Sequence, residues 1–248
     1  MKPLRLAMWS GPRNISTAMM RAWENRGDCA VVDEPLYAHY LAHTGRDHPG
    51  REAVIAAGGT DWHKVAAWLS GAVPDGKAIW YQKHMTHHLL PDIGREWLGR
   101  LTHVFLIRDP REVLLSYIKS RPSVTAEDIG VVQQLEIFEY VQRVCGVTPP
   151  VIDAGEFLKS PEAHLRALCG ELGIPFTPRM LRWPSGPRAS DGVWAPHWYD
   201  AVLRSTAFEP YRVRERRVPA ECQGIVDAVM PAFDALFAHR LVPHSATS

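Results

Sequence analysis

Gly11-Pro12-Arg13-Asn14-Ile15-Ser16-Thr17 gathers a cation, an amide and two hydroxyls between an apolar run and a helical pattern. At a helix N-terminus the first backbone N–H groups lack intrahelical partners and the dipole end is positive, so an anion is stabilised there. Arg13 adds a guanidinium fork matched to phosphate oxygens, while Ser16 and Thr17 add hydroxyl donors. The segment therefore predicts a phosphate-binding turn. A P-loop nucleotide hydrolase would show GxxxxGK[ST], with Lys just before the hydroxyl residue. Here Ser16 stands before Thr17, which disfavours an ordinary ATPase or kinase. A plain turn capped by Ser16 is the simpler reading, but Arg-Asn-x-Ser-Thr supplies more donors than a cap requires.

A second group follows in Val104-Phe105-Leu106-Ile107-Arg108-Asp109-Pro110-Arg111-Glu112 and continues to Ser116. An apolar strand ends on Arg108, Pro110 opens a helix, and Ser116 lies two turns into it. Arg108 and Ser116 could grip one phosphate together. The competing reading pairs Arg108 with Asp109 or Glu112 and leaves Ser116 as a small packing residue.

Such residues need strands and helices to hold them. Leu4–Trp9, Cys29–Val32, Ala78–Tyr81, Val104–Ile107 and Val151–Ile152 are short apolar runs of the kind found in strands covered on both faces. Helical spacing follows Ser16, where Met19, Met20 and Trp23 share one side, and recurs from about Arg111 to Lys119 and from about Glu127 to Val144. Ser160 as N-cap and Pro161 at the first helical position start another helix, with Leu165, Leu168, Cys169 and Leu172 as its apolar stripe and Gly173 at its end. The stretch Ile225 to Phe237, with Pro231 inside, reads as packing only. This alternation predicts an α/β fold: three layers, a mainly parallel sheet with helices on both faces, like that of P-loop nucleotide hydrolases. Ligands then sit beyond the carboxyl ends of the strands, where both Ser10–Thr17 and Arg108–Ser116 begin. Residues 1–248 read as one domain, and 179–217, rich in Pro, Gly, Trp and Arg, as a long ordered lid or acceptor-site insertion. Trp183, Trp194, Trp198 and Tyr199 either stack on a ligand or bury that segment against the core. The run Arg212 to Arg217 either assists with a phosphate or forms a solvated face.

In this order the two phosphate groups resemble those of sulfotransferases that use 3′-phosphoadenosine 5′-phosphosulfate (PAPS). Pro12, Arg13, Ser16 and Thr17 match the family's 5′-phosphosulfate loop, Pro-Lys/Arg-Ser-Gly-Thr-Thr, and Asn14-Ile15 depart from its Ser-Gly pair. Arg108-Asp109-Pro110 with Ser116 is similar to its 3′-phosphate motif. A third likeness runs from Gly155-Glu156-Phe157-Leu158-Lys159-Ser160-Pro161-Glu162 to Leu172-Gly173-Ile174-Pro175-Phe176, so the resemblance extends to about residue 180. Gly186 to Trp194 looks like bacterial members and does not match the Arg-Lys-Gly motif of the cytosolic animal enzymes.

The resemblance implies transfer of a sulfuryl group from PAPS to an acceptor hydroxyl or amine on a small molecule or conjugate. Arg13 would stabilise the 5′-phosphate leaving group, Asn14, Ser16 and Thr17 would line its oxygens, and Arg108 and Ser116 would hold the 3′-phosphate. Two residues compete as the base. Glu34, at the end of the second strand, sits about where several carbohydrate- and protein-modifying members place a catalytic Glu; otherwise Asp33 or Glu34 is the ion-pair partner of Arg13. His84, in Tyr81-Gln82-Lys83-His84-Met85-Thr86-His87-His88, resembles the Lys-Thr-His segment of small-molecule members, with Lys83 able to support the transferring group. The preference is for Glu34, with His84 in reserve. Spacing also permits a metal on His84, His87 and His88, but nothing acidic is close in sequence, and no metal is expected. A P-loop-type kinase or hydrolase, or a non-catalytic nucleotide-binding protein of the same fold, remain as alternatives.

The bulk composition narrows partners rather than naming them. Net charge is +1 over 248 residues, with 46% hydrophobic and 22% charged side chains, which gives no electrostatic reason to expect nucleic acid. No apolar run reaches the roughly 20 residues of a membrane span. Cys29, Cys145, Cys169 and Cys222 are scattered without CxxC spacing, as free thiols in a reducing, cytoplasmic setting would be. Neither the acceptor nor the oligomeric state is written in the sequence.

Overall fold

The apolar runs pair as one parallel sheet. The computed structural model describes residues 3–119, 123–213 and 216–243. Its strands are β1 (Leu4–Ser10), β2 (Cys29–Asp33), β3 (Ile79–Met85), β4 (Thr102–Ile107) and β5 (Val151–Asp153). Their order is β2-β3-β1-β4-β5, with every pairing parallel. Parallel neighbours require crossovers, and the crossovers put helices on both faces. Leu6 and Met8 of β1 face Met19, Met20 and Trp23 of the Ser16–Glu24 helix and Leu165 and Leu168 of the Pro161–Glu171 helix. Ala7 and Trp9 face the other way, toward Leu114, Phe138 and Phe233 of the Pro110–Tyr117, Val131–Cys145 and Gln223–Ala238 helices. The expected three-layer α/β arrangement is present.

Three local expectations change. Alternation in β3 continues beyond Tyr81 through Gln82, Lys83 and His84 to Met85, all of them buried, so the polar residues expected after the strand lie inside it. The helix expected over Glu127 to Val144 is broken at Gly130, whose φ of 77° divides it into Ala126–Ile129 and Val131–Cys145. A Cβ at Gly130 would stand 3.1 Å from Thr86 Oγ1 and 3.4 Å from Pro12, so the break lets two backbones meet beside the Gly11–Thr17 turn. Ser160 precedes Pro161 as expected but makes no capping bond; its hydroxyl lies 3.2 Å from His164 Nδ1.

On the Trp9 face, the sheet encloses two imidazoles. Trp9 Nε1 donates to His103 Nδ1 (3.0 Å), which leaves His103 Nε2 to donate to the Leu98 carbonyl. His84 stacks on Trp9 at 4.4 Å. Burial pushes the His84 pKa down to about 3, aided by His103, and burial likewise takes His103 to about 4. Both values lie below the unfolded value near 6.5, so their contribution is complete above pH 6.5 and is lost as pH falls toward 4 and then 3. Urea unfolding between pH 7 and 4.5 should show stability falling with acidification, and His84→Gln should reduce that slope by up to one proton, about 1.4 kcal/mol per pH unit. An unchanged slope would contradict the buried neutral imidazole.

Candidate active site

The turn after β1 is built from contacts across β1 and β4, which are neighbours in the sheet. Arg13 takes a left-handed backbone conformation (φ 55°). Asn14 is occupied at both ends: its Oδ1 accepts from the Ile15 N–H (2.8 Å) and its Nδ2 donates to the Leu106 carbonyl (3.0 Å) at the end of β4. Its amide thus braces the turn against β4. The first i→i−4 bond of the following helix runs from Met19 N–H to the Ile15 carbonyl, so the N–H groups of Ser16, Thr17 and Ala18 come before the helical ladder. Arg108, at the end of β4, donates from Nη1 to the Arg13 carbonyl (2.6 Å), and Arg13 Nε donates to Ser116 Oγ (2.9 Å). Arg13, Arg108 and Ser116 therefore meet in space. Arg108 also pairs with Glu112 (3.1 Å), and Arg216 reaches Glu112 (2.9 Å) and Asp109 (3.2 Å) from the Arg212–Arg217 run. Arg214 of that run lies outside the described residues.

A second centre lies two strands away, on the same edge. Lys83 of β3 pairs in register with Asp33 of β2, and its ammonium is buried. The three donors of Nζ meet three acceptors: Asp33 Oδ1 (2.8 Å), Glu34 Oε1 (2.7 Å) and Tyr199 Oη (2.7 Å). Tyr199 Oη donates in turn to Asp33 Oδ2 (2.6 Å) and accepts from Trp194 Nε1 (3.2 Å). Burial opposes the charge on Lys83, but Asp33 and Glu34 outweigh it and hold its pKa well above the usual value. For Glu34 burial prevails, and its pKa is raised despite Lys83. Glu34 sits at φ 42°, an uncommon conformation for a non-glycine residue, fixed by its N–H to the Lys83 carbonyl (2.9 Å). Asp33 and Glu34 are thus partners of Lys83, not of Arg13. Lys83 spends its ammonium on holding Glu34, whose Oε2 is left 3.8 Å from His88 Nδ1. Burial, aided by the nearby His87, His48 and Lys83, lowers the His88 pKa well below its usual value, which keeps that imidazole neutral.

The sequence model described as "Sulfotransferase domain" matches residues 4–240. The chain belongs to the sulfotransferase domain family, a family of sulfuryl-transferring enzymes. It is 36% identical over 249 residues, covering 99% of the chain, to "Branched-chain-amino-acid aminotransferase-like protein 1" of Arabidopsis thaliana. The chain spans only 43% of that relative's length. Among solved structures it is similar to the sulfotransferase domain of the Synechococcus PCC 7002 olefin synthase, with 16% identity, TM-score 0.56 and 98% of each chain covered. It is similar also to a sulfotransferase from Alicyclobacillus acidocaldarius, with 10% identity, TM-score 0.53 and 98% of each chain covered. These likenesses show the fold, a sheet of parallel strands between helical layers.

In this sulfotransferase domain the described residues 179–213 close over the strand ends through Tyr199 and Gly192, which bond Asp33. Arg21, fully buried in the helix after the turn, pairs with Asp191 (2.7 Å), and Arg188 and Ser190 both engage Glu24. Arg188 is therefore committed to that helix. Trp183, Trp194 and Tyr199 are buried, while Trp198 stays 39% exposed and lines a cleft of about 250 Å³ with Asn14, Thr17, Arg108 and Arg212. A second cavity, of about 330 Å³, is walled by Tyr40, His48, His87, Tyr117 and Gln133. His88 stacks on Tyr37 (4.6 Å) and lies against Tyr40 (4.8 Å), placing Glu34 one layer behind that wall. Neither Glu34 nor His84 lines either cavity; His84 differs in that alternation along β3 turns it to the opposite face of the sheet from Lys83.

Sequence reasoning missed the roles of Tyr199 and His88. The signal for Tyr199 was a phenol in an aromatic-rich lid, without any indication of its partner; His88 was visible only as one of three histidines. Among the described residues, metal-ligand types converge at His39, His43 and Asp92, and not at His84, His87 and His88. No described helix is long and apolar enough to cross a membrane.

Removing the Lys83 charge strands two buried carboxylates. Lys83→Met should lower stability to urea at pH 7 by about 3 kcal/mol or more. Tyr199→Phe, which deletes hydrogen bonds to charged partners, should cost about 1–3 kcal/mol. A Lys83→Met loss below about 1 kcal/mol would contradict the ion network.

Proposed function

We propose that the chain transfers a sulfuryl group from PAPS to a hydroxyl or amine of a small-molecule or conjugate acceptor. The observation that carries this reading is the order of groups along one sheet edge. Arg108 follows β4, the Arg13–Thr17 turn follows β1, Lys83 lies two residues from the end of β3 and Glu34 follows β2. With strands spaced about 4.8 Å, the turn and Glu34 are separated by about 10 Å. A donor with one phosphate group at Arg108 and another at the turn thus directs its transferable end toward Glu34.

The donor set fits a bisphosphorylated nucleotide. Arg108 and Ser116 hold the 3′-phosphate, and Arg13, Ser16, Thr17 and the helix N-terminus hold the 5′ side. Arg13 keeps its charge throughout, so it offsets charge on the leaving phosphate without giving it a proton. PAPS supplies the sulfuryl group. The acceptor oxygen or nitrogen attacks sulfur as the bond from sulfur to the bridging phosphate oxygen breaks, and the acceptor proton passes to Glu34 Oε2. Lys83 holds Oε1 and so presents the second oxygen. The raised pKa of Glu34 suits a base, whereas His84, near 3 and facing the other side of the sheet, does not. Arg212, which lines the cleft with Arg108, supplies charge on the 3′ side in place of the animal Arg-Lys-Gly arm, and Arg216 backs it from Asp109 and Glu112.

Thermal shift separates this reading from its rivals. Adenosine 3′,5′-bisphosphate should stabilise the protein more than ATP with Mg²⁺. Arg108→Ala with Ser116→Ala should weaken the bisphosphate selectively and leave adenosine 5′-phosphate little changed. Preference for ATP would favour a kinase or hydrolase and overturn the proposal. In a sulfuryl-transfer assay over an acceptor panel, Glu34→Gln should lower turnover by about 10²–10⁴-fold while bisphosphate binding persists. With the native chain, activity should rise with pH through a value above the ordinary carboxylate range, because Glu34 works deprotonated and its pKa is raised. A bisphosphate-binding protein with no turnover on any acceptor would be a non-catalytic member of the fold.

A further inference from the structure

His39 and His43 are four residues apart on the Tyr37–Thr44 helix, so their rings share one face. The rings stack at 5.4 Å. Asp92, in the loop after β3, brings its Oδ2 to 3.4 Å from His43 Nε2. One ligand-type atom from each of the three lies within 4.8 Å of the others. Zinc–imidazole and zinc–carboxylate bonds near 2.0–2.2 Å require ligand atoms about 3.3–3.6 Å apart in a tetrahedral site. The His43–Asp92 edge already has that length, and the half-exposed His43 and Asp92 side chains are free to close the remaining gap.

The informative residue is His39. It is 94% buried by the measure of its 6% exposure, and its Nε2 has no hydrogen-bond partner. Its Nδ1 lies 2.7 Å from the Thr60 carbonyl. A carbonyl only accepts, so Nδ1 carries the proton and Nε2 carries the bare lone pair. A backbone carbonyl that fixes one ring nitrogen and leaves the other as a ligand is the usual outer support of a metal-bound histidine. A buried lone pair without a donor is also a cost that a cation would relieve.

We propose that His39, His43 and Asp92 form a site for a divalent transition ion of the zinc class, with water in the remaining position. Two borderline nitrogen ligands and one carboxylate favour such an ion over Mg²⁺ or Ca²⁺, which take oxygen ligands. The position gives the site a structural task. The helix supplies Tyr40 and Thr44, and the loop supplies Leu89, Leu90 and Pro91, to two walls of the 330 Å³ cavity. An ion bridging the helix to Asp92 ties those walls together at their rim, away from the phosphate turn and from Glu34. It takes no part in the transfer step.

Zn²⁺ alone is the probe, added to the metal-stripped 248-residue chain. It should bind at one site with micromolar or tighter affinity and raise the melting temperature. His43→Ala and Asp92→Asn, both at exposed positions, should each weaken Zn²⁺ by about tenfold or more, and His39→Ala should abolish the shift. His63→Ala, at an exposed histidine beside Asp61, should leave it unchanged. Co²⁺ in place of Zn²⁺ should give visible ligand-field bands that the His43→Ala variant loses. Absence of one-site Zn²⁺ binding, or an affinity in His43→Ala and Asp92→Asn equal to that of the unaltered chain, would overturn the site; adenosine 3′,5′-bisphosphate binding is expected to be the same in all these variants.

Discussion

Lys83 carries a positive charge to a place where water does not reach, and the sheet edge is arranged around the consequences. An ammonium in that setting is tolerable only with its three protons bound and its charge met. Asp33, Glu34 and Tyr199 do both, and each comes from a different part of the chain: the end of β2, the turn beyond it, and the lid. The same contacts dictate three further features. β2 and β3 are locked in register through Asp33 and Lys83. The lid is pulled down onto the strand ends through Tyr199 and Trp194. Glu34 is held in a left-handed conformation that leaves one carboxylate oxygen uncommitted to the ammonium.

The other half of the edge is organised by a different economy of donors. Asn14 and Arg108 use their hydrogen bonds to join the turn after β1 to the end of β4. In the proposed reading Ser16, Thr17 and the first N–H groups of the helix then take an anion. Carboxylates keep the basic side in order: Glu112 and Asp109 sit among Arg108, Arg111 and Arg216 and prevent them from repelling one another apart. Two preorganised halves, cationic at β1–β4 and carboxylate-bearing at β2–β3, suit a reaction in which an anionic group moves from one side to the other.

Much of this was legible in the residues, and the parts that were not have physical reasons. Strand positions and the meeting of Arg13 with Arg108 and Ser116 follow from short apolar runs and from parallel topology, both local or combinatorial rules. β3 was read too short because its last residues are polar, and polarity hides a strand whose Lys and His are buried. Once the strand is extended, period-two alternation separates Lys83 from His84, a distinction that motif likeness alone did not make. Gly130 was invisible as a helix break because a lone glycine is compatible with a helix; only the approach of Pro12 and Thr86 demands its positive φ. The Tyr199–Lys83 bond and the His39–Asp92 proximity join residues far apart in sequence, and neither spacing nor composition encodes such pairs.

The most direct measurement is a crystal structure of the chain with adenosine 3′,5′-bisphosphate. The account predicts the 3′-phosphate on Arg108 and Ser116, the 5′-phosphate on the Arg13–Thr17 turn, and the open side of that 5′-phosphate facing Glu34 across the end of β3. A nucleotide bound in the reverse sense, or with its 5′-phosphate turned away from Glu34, would contradict it.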